Sequence, residues 1–164
     1  YWAEMVPHAY DDSVAIMTGL IDAGRDVTML TNFAADTFTE ARKMYPFLNL
    51  PRGVTVSGEI GLIKPDVAIY ERHAADFELS PAHSVFIDDS LPNVEGARAA
   101  GWHAVHFTGA DKLKAGDATA LNTAMEAPVI AGSRALLFIY RGVQISGRVG
   151  RCQVLSLSDK PSAY

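Results

Sequence analysis

A single cysteine, Cys152, stands in 164 residues, so no intrachain disulfide can form. That usage fits a reducing compartment, and a cytoplasmic location is the expectation. No apolar run approaches the roughly 20 residues that span a bilayer, and nothing near the N-terminus reads as a signal peptide. Basic charge is scarce as well: 14 Lys and Arg against 19 Asp and Glu leave a net charge of −5, which argues against nucleic acid as the main partner. The five histidines, His8, His73, His83, His103 and His106, show no metal-ligand spacing. Trp2, Trp102 and the phenylalanines read as packing residues rather than cofactor contacts. What remains is a soluble globular chain, 49% hydrophobic and 20% charged, long enough for one domain with a real core. The first residue is Tyr1 rather than Met, so a fragment or a processed chain is expected.

The charge is unevenly spread. Residues 1–126 hold nine Lys and Arg against eighteen Asp and Glu, while residues 127–164 hold five against one. Along the acidic part, strand and helix signals alternate. Asp11, Asp12 and Ser13 offer caps to a helix that carries Val14, Met17, Leu20 and Ile21 at helical spacing and ends at Gly24. Short apolar runs at 27–30, 54–57, 85–88 and 104–107 read as buried parallel strands. Helices are expected over 34–45, from Pro65-Asp66 to about Phe77, and from Ser90 and Pro92 to about Ala100. Such alternation predicts an α/β fold: a Rossmann-like parallel sheet with helices on both faces.

Three motifs carry chemistry. LTNF (30–33) places Thr31 at the end of a strand, where its hydroxyl and the following N–H groups could hold an anionic oxygen, or where it could cap the next helix. GLIKPD (61–66) places Lys64 before a proline, which favours extended backbone. A lysine there could aim a point charge into a pocket or simply face water. VFIDDS (85–90) ends a strand in two carboxylates, Asp88 and Asp89. Adjacent carboxylates repel unless a cation or hydrogen-bond donors offset them. Mg²⁺ beside a substrate phosphate would do so, and so would the dipole of the following helix. Glu59 could shape the loop before Lys64, and Asn93 could orient the carboxylates or face solvent. Open α/β sheets bind ligands at the carboxyl ends of their strands, where all three motifs fall.

Taken in order, LTNF, SGEIGLIKPD and FIDDSLPNVEGARAAGWHAVHF resemble the haloacid dehalogenase (HAD) superfamily of hydrolases, in the branch with a small helical cap. The resemblance covers about residues 1–117. It implies an enzyme of the phosphatase or dehalogenase type that acts on a small molecule through an aspartyl intermediate. Thr31 matches the residue that binds the transferring phosphoryl group, and Asn32 its neighbour lining the pocket. Lys64 matches the lysine that neutralises the phosphoryl charge. Asp89 matches the acid that ligates Mg²⁺, and Asp88 the acid that acts through water or orients the metal shell. The acid pair resembles the metal-dependent phosphatases rather than the metal-free 2-haloacid dehalogenases. The family's Asp-x-Asp strand and most of its cap would precede residue 1, so the chain reads as N-terminally truncated and is expected to lack turnover.

That reading divides the chain into the exit of a cap at 1–10, a HAD-like core at 11–117 and an atypical tail at 118–164. It also leaves the centre of the sheet without a strand. The tail segment 135–143, Ala-Leu-Leu-Phe-Ile-Tyr-Arg-Gly-Val, resembles the family's first strand and could fill the gap, with Ile139 at the nucleophile position and Arg141 at the acid/base position. Neither could perform that chemistry, but Arg141 could offset Asp88 and Asp89. An unrelated tail is the competing expectation. In function, the competing expectations are a 2-haloacid dehalogenase and a non-catalytic binding or scaffold protein.

Overall fold

The computed structural model describes residues 11–109 and the strand at 135–138. Five helices and five strands form within them: α1 (Asp11–Asp22), β1 (Asp26–Thr31), α2 (Ala35–Met44), β2 (Gly53–Val56), α3 (Ser57–Ile60), α4 (Val67–Asp76), β3 (Val85–Asp88), α5 (Leu91–Ala99), β4 (His103–His106) and β5 (Ala135–Phe138). Short 3₁₀ turns occur at Pro46–Asn49 and Pro81–His83. The strands form one parallel sheet in the order β2-β1-β5-β3-β4.

Side chains alternate across a strand, and here that alternation divides the core in two. Val27 and Met29 of β1, Val85 and Ile87 of β3, and Val105 of β4 pack with Met17 and Leu20 of α1 and Phe38 and Ala41 of α2. Leu30 and Phe86 face the other way, against Ile69 and Tyr70 of α4 and Ala97 of α5. The helices therefore cover both faces, as a sheet of continuous apolar strands requires. Asp88 follows Phe86 by two residues and falls on the α4/α5 face.

Between β1 and β3 lies β5. Val27 pairs with Leu136 on one side, and Val85 pairs with Leu136 on the other. Unpaired N–H and C=O groups at the centre of a buried sheet are costly, and β5 supplies their partners for Asp26–Thr28 and for Val85–Ile87. This is the position at which the sequence leaves a gap. Ile139 and Arg141 lie outside the described residues, as do the segment 1–10 and the rest of the tail.

One local expectation is corrected. Ser57 does not end β2 but begins α3, a single turn that stops at Gly61 with φ 68°. Glycine adopts this left-handed backbone without strain, and the turn redirects the chain toward Lys64. On the far side of that loop, α5 approaches so closely that a methyl group on Gly96 would overlap the Pro65 carbonyl oxygen. Gly96→Ala is therefore expected to cost about 1–3 kcal/mol, the usual range for overpacking. Urea unfolding measures it. A cost under about 0.5 kcal/mol, typical of unconstrained surface changes, would mean that the loop yields freely.

Candidate active site

The carboxyl ends of β1 and β3 flank β5, and one side chain joins them. The Lys64 Nζ donates to the Leu30 carbonyl at 3.2 Å and to Asp88 Oδ2 at 3.1 Å. Both members of the ion pair are withdrawn from water, with side chains 3% and 0% exposed. The ammonium also stands 5.9 Å from the centre of the Phe86 ring. Of the two possibilities for Lys64, a pocket charge and a solvated loop residue, the structure shows a buried charge.

Asp88 is held from three sides. Its Oδ1 accepts the Ser90 N–H at 2.7 Å, and its Oδ2 accepts the Asn93 side-chain amide at 2.9 Å as well as Lys64. Asn93 is fixed in turn by Tyr70, whose hydroxyl donates to the Asn93 carbonyl at 2.7 Å. Burial, with the Asp88 and Asp66 charges adding to it, pushes the Tyr70 phenol well above its usual range, so it stays a proton donor. Asp89 is half-buried. Neither acid caps α5: the N-cap is Ser90, and no side-chain cap bond forms there.

Thr31 closes β1 and is half-buried. It does not cap α2 either, because the N-cap there is Ala34, again without a side-chain cap bond. Asn32 makes two bonds to one residue: its Nδ2 donates to the Lys64 carbonyl at 3.1 Å, and its Oδ1 accepts the Lys64 N–H at 3.0 Å. The structure thus joins Asn32, Lys64, Asp88 and Asn93 in one hydrogen-bonded chain, with Thr31 and Asp89 next to its members in sequence. The tie between Asn32 and the Lys64 backbone is absent from the sequence reading. Pro65 is the one signal for it, since it holds Lys64 extended.

His106 and His73 have other partners. His106 Nε2 lies 3.0 Å from the Asp89 carbonyl. His73, on α4, is fully buried between Thr28 and Thr55, 3.0 Å and 2.7 Å from their hydroxyls.

The donor set bears on Mg²⁺. A carboxylate offers about four acceptor sites, and three bonds already fall on Asp88. Among the described residues no group of three or more His, Cys, Asp or Glu could hold a metal ion. Two adjacent carboxylates fit Mg²⁺ only in the mode where phosphate oxygens and water complete its shell.

Residues 62–129 match a family model described as HAD-hydrolase-like. Over 94 residues the chain is 34% identical to the sesquiterpene phosphatase astK of Aspergillus oryzae, covering 57% of this chain and 48% of that protein. Over 80 residues it is 32% identical to the drimenol cyclase drtB of Aspergillus calidoustus, covering 49% of this chain and 13% of that protein. The chain thus spans about half the length of the first relative and far less of the second. Among solved structures, a dehalogenase aligns with a TM-score of 0.59 at 22% identity, covering 65% of this chain and 47% of that one. An uncharacterized protein of Corynebacterium glutamicum aligns with a TM-score of 0.57 at 24% identity, covering 66% and 79%. At these identities the structural likeness speaks for the fold. No helix among the described residues is long and apolar enough to cross a membrane.

Proposed function

We propose that this chain is a hydrolase of the haloacid dehalogenase (HAD) superfamily, and that its site binds the phosphoryl group of a small phosphorylated molecule in the manner of a Mg²⁺-dependent phosphatase of the cytoplasm. The observation that carries the reading is the buried Lys64 ammonium, 3.1 Å from Asp88 beside a second acid, at the carboxyl ends of parallel strands. A desolvated cation fixed at such a place stabilises the charge of a phosphoryl group without reorganising. Thr31 adds a hydroxyl on the β1 side. Asp89 and Asp88 would hold Mg²⁺, which supplies further positive charge against the phosphate oxygens. The paired acids favour this reading over a metal-free dehalogenase, and the likeness to a phosphatase agrees with it.

The aspartyl intermediate belongs to the same proposal. Its nucleophile is not among residues 135–138 of β5, which are Ala, Leu, Leu and Phe. Binding is therefore the primary test. Calorimetric titration of the full chain with inorganic phosphate is expected to show tighter binding with Mg²⁺ than with EDTA. Asp89→Asn should remove most of that Mg²⁺ dependence, and Lys64→Met should weaken phosphate under both conditions. Equal phosphate affinity with and without Mg²⁺ would refute the metal role. Phosphate release is assayed in parallel on a panel of phosphomonoesters headed by a sesquiterpenyl monophosphate, chosen for the relative's activity. Halide release from 2-halo acids without metal would favour the dehalogenase reading instead.

A further inference from the structure

We infer that Asn32 is a positioning residue that aims the Lys64 ammonium, rather than a group that contacts substrate; the inference rests on the phosphoryl-binding reading of Lys64. A residue held extended by the proline after it presents its N–H and C=O toward the same side. A primary carboxamide has the complementary pair, one acceptor oxygen and one donor NH₂. Asn32 meets Lys64 in that way, Oδ1 to the N–H at 3.0 Å and Nδ2 to the C=O at 3.1 Å. The side chain thus does for one residue what a neighbouring strand would do, in a loop that β2, α3 and α4 leave unpaired by the sheet.

Sequence order makes the contact consequential. Asn32 stands two residues after Leu30, and the Leu30 carbonyl accepts from the Lys64 Nζ. Both ends of Lys64 are therefore anchored to the same turn of chain at the end of β1, the backbone by Asn32 and the ammonium by Leu30. With its backbone fixed, the four-carbon stem has one short route to Asp88, and the desolvated charge keeps its partner. Without the carboxamide, the loop could open as a local unit and carry the ammonium away from Asp88.

The Lys64 ammonium can be observed directly by ¹⁵N NMR of the lysine side chains in the full chain, with its resonance assigned by loss in Lys64→Arg. In the parent protein this resonance is expected to be shifted from those of exposed lysines and to exchange its protons slowly. In Asn32→Ala its exchange is expected to speed by about tenfold or more, as loss of two net hydrogen bonds predicts. Asn49→Ala removes another side-chain bond to backbone, from Asn49 Nδ2 to the Arg42 carbonyl, and should leave the Lys64 signal unchanged. An unaltered ammonium signal in Asn32→Ala would overturn the inference, whatever the protein does to phosphate. If phosphate binds, Asn32→Ala is expected to weaken it in the parent background and to add little in a Lys64→Met background, whereas a direct substrate ligand would weaken it in both. If phosphate neither binds nor is released, the functional reading fails, and the spectrum still decides whether Asn32 aims Lys64.

Discussion

Lys64→Met is expected to destabilise the fold by about 3–5 kcal/mol at neutral pH, the cost of removing one partner of a buried ion pair. The side chain it removes is 3% exposed, and the carboxylate it leaves behind is 0% exposed. Asp88 would keep the Ser90 N–H and the Asn93 amide but lose the one countercharge it has among the ion pairs of the described residues. The Leu30 carbonyl would lose a charged donor at the same time. A solvent-exposed pair such as Lys43–Glu40, whose side chains are 64% and 59% exposed, belongs to the class whose loss costs about 0–1 kcal/mol. Urea unfolding of Lys64→Met beside Lys43→Met makes the comparison within one protein. The double variant Lys64→Met/Asp88→Leu, which removes both charges, should recover much of the loss, because replacing a whole buried pair is often close to neutral. Equal costs for Lys64→Met and Lys43→Met would contradict the buried geometry and with it the site.

Acidification is expected to remove about 3 kcal/mol of stability through His73 alone. Burial, opposed by the Asp76 charge and aided by those of Arg52 and Lys64, lowers its pKa from 6.5 to about 4. The imidazole is held neutral between two threonine hydroxyls on neighbouring strands, Thr28 of β1 and Thr55 of β2, and packs on the Phe77 ring with centroids 4.9 Å apart. The folded pKa lies below the unfolded one. Between pH 6.5 and 4 the unfolded chain therefore takes up a proton that the folded chain refuses. Stability is fully present above the unfolded value, falls as pH drops through this window, and is completely lost, as regards this group, below about 4. Carboxylates add their own pH dependence, so the measurement is a difference. Unfolding free energies of the parent and of His73→Gln, followed from pH 7.5 to 4, should converge as pH falls, because glutamine has no proton to gain. Parallel curves would mean that His73 titrates alike in both states.

These two residues show how legibility differs with the kind of signal. Lys64 sits in a motif whose neighbours Gly61 and Pro65 mark a shaped loop, and its order relative to Thr31 and Asp88–Asp89 points to a site. For His73 the sequence offers only a lone histidine without ligand spacing. Its partners Thr28 and Thr55 lie far from it in sequence, so only folding brings the three together. Asp88 and Asp89 look equivalent as letters. Strand parity separates them: Asp88 follows Phe86 onto the α4/α5 face and is buried at 0%, while Asp89 lies past the end of β3 and stays half-buried.

By itself the sequence determined the alternation of strand and helix, the two-sided burial of the sheet, and the placing of Thr31 and Asp88 at strand ends with Asp89 and Lys64 in the loops beyond. These follow from local propensity, apolar runs and turn residues, which act within a few positions of the chain. Tertiary structure decided between the two expectations left open for 135–143, placing β5 at the centre of the sheet, and it alone decided two other matters: that Lys64 bridges β1 to β3 through Leu30 and Asp88, and that Asn32 holds the Lys64 backbone. Each depends on pairing groups distant in sequence so that no buried donor, acceptor or charge is left without a partner. That demand is set by the packed fold as a whole, and no local pattern of residues encodes it.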